Sequence, residues 1–279
     1  MTEQFGQSIE DVRRLAVLGQ PISHSLSPVM HNAAFAALGL ADEWVYEAIE
    51  LSVEEFDDGT RDLARRGFVG ANVTVPHKRA ALSLADDATR RAREIGAANT
   101  LTFDAGSIRA DNTDAPGLIA ALREDPSDVR ALVLGAGGSA RAVVWALARA
   151  GAHVSVWNRT AENAEALADA FEVTTLRPDG PLPLSDYELI VHATAVGLGG
   201  PRASDLDQLH VVEADLDADH TVVDLVYGEE STSLLRAAEA AGATTVDGRE
   251  ILVRQGAESF RIWTGLEPPL DAMRTAVGG

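Results

Sequence analysis

The sequence predicts an α/β fold, and three observations carry the prediction. Short apolar runs of strand length alternate with helical stretches along the whole chain. One run, residues 131–135 (ALVLG), ends in Gly135-x-Gly137-x-x-Ala140 and opens a helix. A length of 279 residues, with 46% hydrophobic side chains, suits one large domain or two ordinary ones with ample core.

Taken in order, residues 14–18 (RLAVL) read as a strand ending at Gly19. A helix over 28–38 and a strand over 44–50 (WVYEAIE) follow. The pattern then gives a helix near 53–66, a strand near 68–75 and a helix near 78–85. Residues 99–103 and 107–111 read as short strands around Asp104-Ala105-Gly106-Ser107, a spacing that suits a hairpin. A helix over 114–123 leads into Glu124-Asp125-Pro126-Ser127-Asp128, a polar, Pro-containing stretch that marks a domain boundary on composition. Beyond it, βα repeats place strands near 131–135, 153–157, 173–176, 189–193, 221–226 and 244–246. Helices fall near 138–150, 160–170 and 231–241. This is the pattern of a doubly wound parallel sheet. Residues 249–276 read as helical, and pattern alone leaves open whether they close the second domain or return to the first.

Composition excludes several classes. The chain has no cysteine, hence no disulfide, thiolate metal site or Cys nucleophile. A net charge of −20 and a pI near 4.6 argue against nonspecific nucleic-acid or anionic-membrane binding. Residues 1–12 are polar and acidic, unlike a secretory signal. No stretch approaches the roughly 20 apolar residues of a membrane span, so a cytoplasmic protein is expected. No metal site emerges from the scattered histidines, and Asp57-Asp58 and Asp86-Asp87 read as solvated surface. Of 23 basic residues, 22 are Arg and one, Lys78, is Lys. Acid excess with almost no Lys is the pattern of a salt-rich, halophilic cytosol, where screening relieves self-repulsion. GC-biased coding gives the same preference for Arg. A homodimer is compatible with the sequence and not required by it.

The glycine-rich turn has a specific mechanism. Gly135 permits the tight turn, Gly137 lets the backbone approach a pyrophosphate, and Ala140 lets helix and strand pack closely. The helix N-terminus adds N–H groups and a positive dipole end for the phosphates. About 20 residues on, an NAD enzyme commonly places Asp or Glu to hold the ribose hydroxyls. This chain has Asn158-Arg159-Thr160 there. Arg159 suits a 2′-phosphate, with Asn158 and Thr160 as further donors, so NADP is favoured over NAD. Thr160 is also placed to cap the helix that follows.

In the first half, residues 23–28 read SHSLSP. Ser27-Pro28 reads as an N-cap and N1 pair. Ser25 and Ser27 alternate, so in an extended segment they face one way and could hold a small anion at the helix N-terminus. Plain capping by Ser27, with Ser25 exposed, explains the segment as well. Lys78 closes GANVTVPHK (70–78), and as the only Lys it is a candidate general acid or base. His77 beside it reads as a turn or surface residue. Asp114, in ADNTDAPG (110–117), either caps the following helix or orients Lys78 or a substrate hydroxyl. Asn99 is a turn-region amide of similar ambiguity.

Together these segments resemble the shikimate dehydrogenase family, in order and over nearly the whole chain. Gly19-Gln20-Pro21 and Ser25-x-Ser27-Pro28-x-x-His31-Asn32 look like its opening motif. Asn72-Val73-Thr74-x-Pro76-x-Lys78 looks like its catalytic-lysine motif. Ala97-Ala98-Asn99-Thr100 and Asn112-Thr113-Asp114-x-x-Gly117 look like the next two. Asn158-Arg159-Thr160 and the Gly135 loop match its NADP signature. Asp224-x-x-Tyr227, Thr232-x-Leu234-Leu235 and Gln255-Gly256-Ala257 complete the series.

The resemblance implies two α/β domains with the active site in the cleft between them. Residues 1–114, completed by helices over 249–279, would form the substrate domain, and 115–248 a Rossmann-type NADP-binding domain. It implies reversible NADPH-dependent reduction of 3-dehydroshikimate to shikimate, a step of aromatic amino-acid biosynthesis. Lys78 and Asp114 would form the catalytic pair. Ser25 and Ser27 would bind the substrate carboxylate. Thr74, Asn99 and Gln255 would contact mainly its hydroxyls, and Asn72 and Tyr227 would line the same site. The cofactor would meet Gly135, Ala136, Gly137, Gly138, Ser139, Ala140, Asn158, Arg159, Thr160, Thr194, Leu225 and Gly248. Quinate or dual quinate/shikimate oxidation is the nearest alternative, and the Ser-x-Ser pair favours shikimate by family analogy. A metabolite sensor without catalysis is the other, and retention of Lys78 and Asp114 argues against it. The chain departs from the family where Ala110-Asp111 precede Asn112, where His192 stands for Asn and Leu198 for Met, and at Glu229, where Pro is common. Leu198 keeps an apolar side chain, expected near the nicotinamide. His192 removes an amide and changes the local hydrogen-bond pattern.

Overall fold

The structure, a computed structural model, describes residues 12–178 and 180–278. Residues 1–11, most of the polar segment weighed above against a targeting signal, lie outside the described residues. In chain order the first elements are β1 (Arg13–Gly19), α1 (Ser27–Ala37), β2 (Trp44–Glu50), α2 (Phe56–Arg65), β3 (Phe68–Val73), α3 (Lys78–Leu84), β4 (Asp87–Ala88), α4 (Arg90–Ile95), β5 (Thr100–Asp104) and β6 (Ser107–Asp111). Then come α5 (Asp114–Ala121), β7 (Arg130–Leu134), α6 (Gly138–Arg149), β8 (His153–Trp157), α7 (Ala161–Phe171), β9 (Thr174–Thr175) and β10 (Leu189–His192). The last are α8 (Asp205–Gln208), β11 (Thr221–Asp224), α9 (Ser233–Ala240), β12 (Thr244–Val246), α10 (Gly248–Thr264) and α11 (Leu270–Ala276).

The chain divides into two compact units. Unit 1 runs up to Arg93, takes in Ala98–Asp111 and resumes at Ser259, within α10. Unit 2 comprises Glu94–Ala97 and Asn112–Glu258.

Unit 1 holds a mixed six-stranded sheet in the order β2-β1-β3-β5-β6-β4. β1 runs parallel to β2 and β3, whereas β5 runs antiparallel to β3 and β6. This reversal sets Thr100, the first residue of β5, against Asn72 near the end of β3. The β5–β6 hairpin closes through Ala105 (φ 48°) and Gly106 (φ 85°), the mirror-image turn whose twist matches that of the strands. Apolar residues of strands and helices, among them Leu18, Phe56, Phe68, Val73, Leu101 and Ile108, form one buried cluster. Trp263 of α10 donates its indole N–H to the Leu101 carbonyl (3.0 Å). Gly70 makes room for it, because a Cβ there would lie 2.3 Å from that carbonyl oxygen and 2.4 Å from the indole nitrogen.

Unit 2 holds a six-stranded sheet in the order β12-β11-β10-β7-β8-β9, parallel throughout. The strand order reverses between β7 and β10, the topological switch point at which doubly wound sheets bind ligands. Ala115 and Leu118 of α5 share a buried cluster with Val133 of β7 and Val143 of α6. The polar stretch 124–128 therefore lies inside unit 2 and does not mark a boundary. It is a turn between α5 and β7, in which Asp128 (φ 61°) donates its N–H to the Gly151 carbonyl (3.0 Å).

Pattern reading misses β4, α4 and α8, and merges α10 with α11. The missed elements are too short to show a period. The merged helices part at Gly265 (φ 71°), followed by Pro268 and Pro269, where helix hydrogen bonding cannot continue. Among the described residues no helix is long and apolar enough to cross a membrane.

One polar residue in the core of unit 1 stands out. His31 is fully buried, stacked on Tyr46 at 4.3 Å between ring centroids and beside Phe260 and Trp263. Neither ring nitrogen has a hydrogen-bond partner among the described residues. Burial disfavours the charged ring and pulls its pKa down to about 3. The unfolded chain takes up a proton at about pH 6.5, and the folded chain does not until about 3, so stability is full above 6.5 and falls as pH drops between the two. The slope is about 1.4 kcal/mol per pH unit. Urea unfolding from pH 8 to 4 should show a falling midpoint, and His31→Phe should flatten that fall. Equal slopes in the two proteins would remove His31 from the account.

Candidate active site

In unit 1 the predicted residues gather at one end of the sheet. β1 and β3 are parallel, so the segments after them leave from the same end, and reversed β5 brings its start there too. Backbone bonds knit the three together. Thr74 donates its N–H to the Leu18 carbonyl (2.9 Å), Gln20 to Val75 (3.1 Å), Val73 to Asn99 (2.8 Å) and Ala98 to Lys78 (2.8 Å). Lys78, the first residue of α3, is thus tied through its carbonyl to the segment that carries Asn99.

Asn72 lies beneath this end, only 5% exposed. Its carbonyl oxygen accepts the Tyr46 hydroxyl (2.7 Å). Its amide donates to the Asn99 carbonyl (3.0 Å), Thr100 Oγ1 (3.2 Å) and Ser259 Oγ (2.9 Å). The amide is occupied within the unit. Asn99, 2% exposed, accepts from the Thr100 hydroxyl (3.1 Å). His77 is no surface residue: it is buried, stacks on Phe56 and places Nε2 2.8 Å from the Leu51 carbonyl.

The serine segment differs from expectation. Leu26, not Ser27, is the N-cap of α1, and it adopts helical angles (φ −83°, ψ −5°). The chain between the serines is therefore not extended, and the alternation argument does not hold. Instead the Ser27 N–H donates to Ser25 Oγ (3.3 Å), which leaves Ser27 buried at the head of the helix and Ser25 half-buried.

In unit 2 the N-cap of α5 is Thr113 and not Asp114, and the residue before it supplies the side-chain bond. Asn112 Oδ1 accepts the Ala115 N–H (3.2 Å) while its amide donates to the Ala97 carbonyl (3.0 Å). Asp114 is the first residue of the helix, half-buried. Gly117 lets α5 approach α10 so closely that a Cβ would stand 2.7 Å from the Gln255 backbone nitrogen. Gln255 is buried and donates to the Leu252 carbonyl (3.0 Å). Tyr227 follows β11, half-buried. Of the departures from the family pattern, Asp111 in unit 1 is paired with Arg91 (2.8 Å), and Glu229 in unit 2 is exposed.

The glycine-rich loop follows β7. Gly135 (φ 123°) cannot be replaced without strain, since a Cβ would also sit 2.7 Å from the Ala193 carbonyl oxygen. Gly137 is the N-cap of α6, and a Cβ there would meet nothing within 4 Å. Gly138 and Ser139 form the first turn of α6, and Ala140 is fully buried. Backbone free of side chains in front of a helix N-terminus fits a pyrophosphate. At the far end of α10, Gly248 brings the helix start against Leu225 and Val226, whose carbonyl oxygens would lie 2.8 and 2.7 Å from a Cβ.

A cavity of about 390 Å³ opens beside this loop, walled by residues after β8 and after β10, including Trp157, Asn158, Arg159, Thr160, Thr194 and Leu198. Asn158 donates its amide to the Thr160 carbonyl (2.9 Å). The expected capping by the Thr160 hydroxyl is not made. Leu198 is 52% exposed on the cavity wall. His192 turns the expected loss of an amide into a two-ended bridge. Its Nδ1 lies 2.8 Å from Asp224 Oδ1 and its Nε2 2.6 Å from Thr194 Oγ1. Asp224 accepts the Thr232 hydroxyl (2.6 Å) and the Val226 N–H (2.9 Å). A carboxylate only accepts, so the ring nitrogen facing Asp224 donates to it, and Nε2 shares its bond with the Thr194 hydroxyl. Thr194 Oγ1 in turn accepts the Val196 N–H (3.0 Å), which fixes the cavity wall. Sequence reasoning missed this bridge, the Ser259 hydroxyl bonded to Asn72, and Arg202 and Asp205 on the cavity wall. None of them lies in a pattern that a single chain displays. Among the described residues, no group of three or more His, Asp or Glu could hold a metal ion.

Comparison with known proteins finds one family along most of the chain. Residues 17–101 match the shikimate dehydrogenase substrate binding domain, 118–198 the shikimate / quinate 5-dehydrogenase family and 248–277 the shikimate 5′-dehydrogenase C-terminal domain. The NADP(+) shikimate dehydrogenase of Methanopyrus kandleri is 43% identical over 281 residues, covering 94% of each chain. That of Methanocella arvoryzae is 45% identical over 266 residues, covering 92% of this chain and 95% of its own. The crystal structure of shikimate 5-dehydrogenase from Thermus thermophilus, in complex with NADP(H) and shikimate, superposes with a TM-score of 0.84 at 40% identity, over 95% of this chain and 98% of that one. The chain belongs to the shikimate dehydrogenase family.

Proposed function

We propose that this protein catalyses the reversible NADPH-dependent reduction of 3-dehydroshikimate to shikimate. The observation that carries this reading is the gathering of Lys78, Thr74 and Asn99 at one sheet end of unit 1, on a chain so similar to NADP(+) shikimate dehydrogenases. The residues of unit 2 fit the cofactor: the Gly135 loop and the start of α6 would hold its pyrophosphate, and Arg159 its 2′-phosphate.

When bound, the cofactor supplies or takes up hydride at its nicotinamide. The chain's own residues handle charge and protons. In the reductive direction the Lys78 ammonium stabilises negative charge growing on the carbonyl oxygen and delivers a proton to it. In the oxidative direction a neutral Lys78 accepts the hydroxyl proton. We assign Asp114 mainly to positioning, because an anion near an amine favours the ammonium and opposes the pKa depression that a base needs. Ser25 and Ser27 bind the substrate carboxylate; Thr74, Asn99 and Gln255 hold its hydroxyls, and Tyr227 lines the site. Asn72 acts from below by fixing Asn99. Thr194, Leu225 and Gly248 complete the cofactor contacts, with Asn158 and Thr160 beside Arg159. The enzyme works on small molecules in the cytoplasm, as monomer or homodimer. The acid excess and near-absence of Lys are read as adaptation to a salt-rich cytosol.

Three outcomes are expected. Lys78→Ala should lose at least about a hundredfold in kcat, the scale of general acid–base catalysis, with the fold and NADP(+) binding intact. Near-normal turnover of shikimate, followed at 340 nm with quinate in parallel, would refute the assignment. Arg159→Ala should weaken NADP(+) far more than NAD(+), and an equal loss for both would mean that Arg159 does not read the 2′-phosphate. The melting temperature should rise between 0.1 and 2 M KCl as screening relieves self-repulsion; a flat profile would leave coding bias as the source of the Arg-rich, Lys-poor surface.

A further inference from the structure

We propose that Arg202 is a second reader of the cofactor's 2′-phosphate, acting with Arg159 from another segment of the same cavity wall. The inference rests on the NADP reading above and on unit 2 alone.

The chain carries 43 acidic residues against 23 basic ones, so an arginine here readily finds a carboxylate. Arg14, Arg91, Arg130 and Arg254 each lie between 2.5 and 2.8 Å from one. Arg159 and Arg202 make no such pair among the described residues, and unlike Arg13, Arg79 and Arg123, which also make none, they share one cavity. Both line the 390 Å³ cavity, and among the described residues neither guanidinium makes a hydrogen bond or ion pair. Two unneutralised guanidinium groups on one cavity of a protein with net charge −20 mark a place for a concentrated anion.

The backbone of Arg202 is anchored. Its N–H donates to Asp205 Oδ2 (2.7 Å) and its carbonyl accepts the Ser233 hydroxyl (3.2 Å). Asp205 is only 3% exposed and its Oδ2 also lies 3.3 Å from Ser233 Oγ. This carboxylate, though part of the cavity wall, is engaged with donors of the backbone and Ser233. The Arg202 side chain remains exposed.

The chemistry explains why two cations are useful. A phosphate monoester carries about −1.5 to −2 charge at pH 7, so one guanidinium leaves it partly uncompensated. A second supplies further charge-assisted hydrogen bonds in the planar fork that suits phosphate oxygens. NAD(+) presents a hydroxyl at that position and gains little from either group. Asn163 and Gln208 on the same wall add amide donors.

The test is titration of NADP(+) and of NAD(+) by calorimetry, without substrate, into the parent protein, R159A, R202A, R202K and R159A/R202A. R202A should raise the Kd for NADP(+) roughly 10- to 100-fold, the scale of a lost charged hydrogen bond, and leave NAD(+) within about twofold. R202K should recover part of the loss, and the double variant should bind NADP(+) more weakly than either single one. Unchanged NADP(+) binding in R202A would overturn the proposal, as would an equal loss for both dinucleotides, which would make Arg202 a shape element of the wall. A parent protein unable to bind NADP(+) would overturn the cofactor reading itself and the proposal with it. The side chain is exposed, so its removal leaves the fold in place.

Discussion

Burying an amide away from water is unfavourable unless its oxygen and both N–H groups find partners, and Asn72 finds them on four elements of unit 1. Tyr46 comes from β2, the Asn99 carbonyl from the segment before β5, Thr100 from β5 itself and Ser259 from α10. This amide decides where the ends of those elements can stand. Thr74 and Lys78 follow Asn72 at once, and Asn99 is held both by Asn72 and by the Val73 N–H. Unit 1 can present these side chains at one sheet end because the polar group beneath them is satisfied in a single arrangement. A half-satisfied network would be worse than an apolar core.

On the proposed reading, unit 2 solves a different problem, since it would draw phosphates toward a protein that repels them overall. Part of the answer is backbone: Gly135 and Gly137 keep side chains away from the start of α6, whose dipole would favour the phosphates. The rest is local charge, placed where the two strands flanking β7 end. The wall between is stiffened by the His192 bridge from Asp224 to Thr194. The sheet order makes this possible. β8 and β10 lie on either side of β7, so the segments that follow them flank the Gly135 turn.

Much of this could be read in the sequence, for physical reasons that differ by element. Strands β7, β8 and β10 are buried on both faces and announce themselves as apolar runs. Gly135 announces a backbone that no other residue can adopt. Lys78 is visible because its neighbours on the surface are all Arg. What stayed hidden depends on contacts far apart in the chain. Nothing near Ser259 says that it will meet Asn72, 187 residues away, and nothing near His192 names Asp224. The serine segment shows the opposite failure: the Ser-Pro pair put the cap at Ser27, one residue late, and the alternation of the serines assumed an extended chain where Leu26 is helical. Composition also misplaced a boundary at 124–128, since a tight turn and a linker use the same residues.

The solitary lysine has a chemical consequence. Reagents that acylate amines have only one side-chain target in this protein, Lys78, since every other cationic side chain is a guanidinium or an imidazole. Among side chains, a covalent amine probe, an isotopically labelled acyl group or a lysine-specific protease would report on Lys78 alone, with a free α-amino group as the one other amine. The same scarcity that suits an acidic surface thus makes Lys78 a side chain that can be addressed by itself, at the position proposed for catalysis.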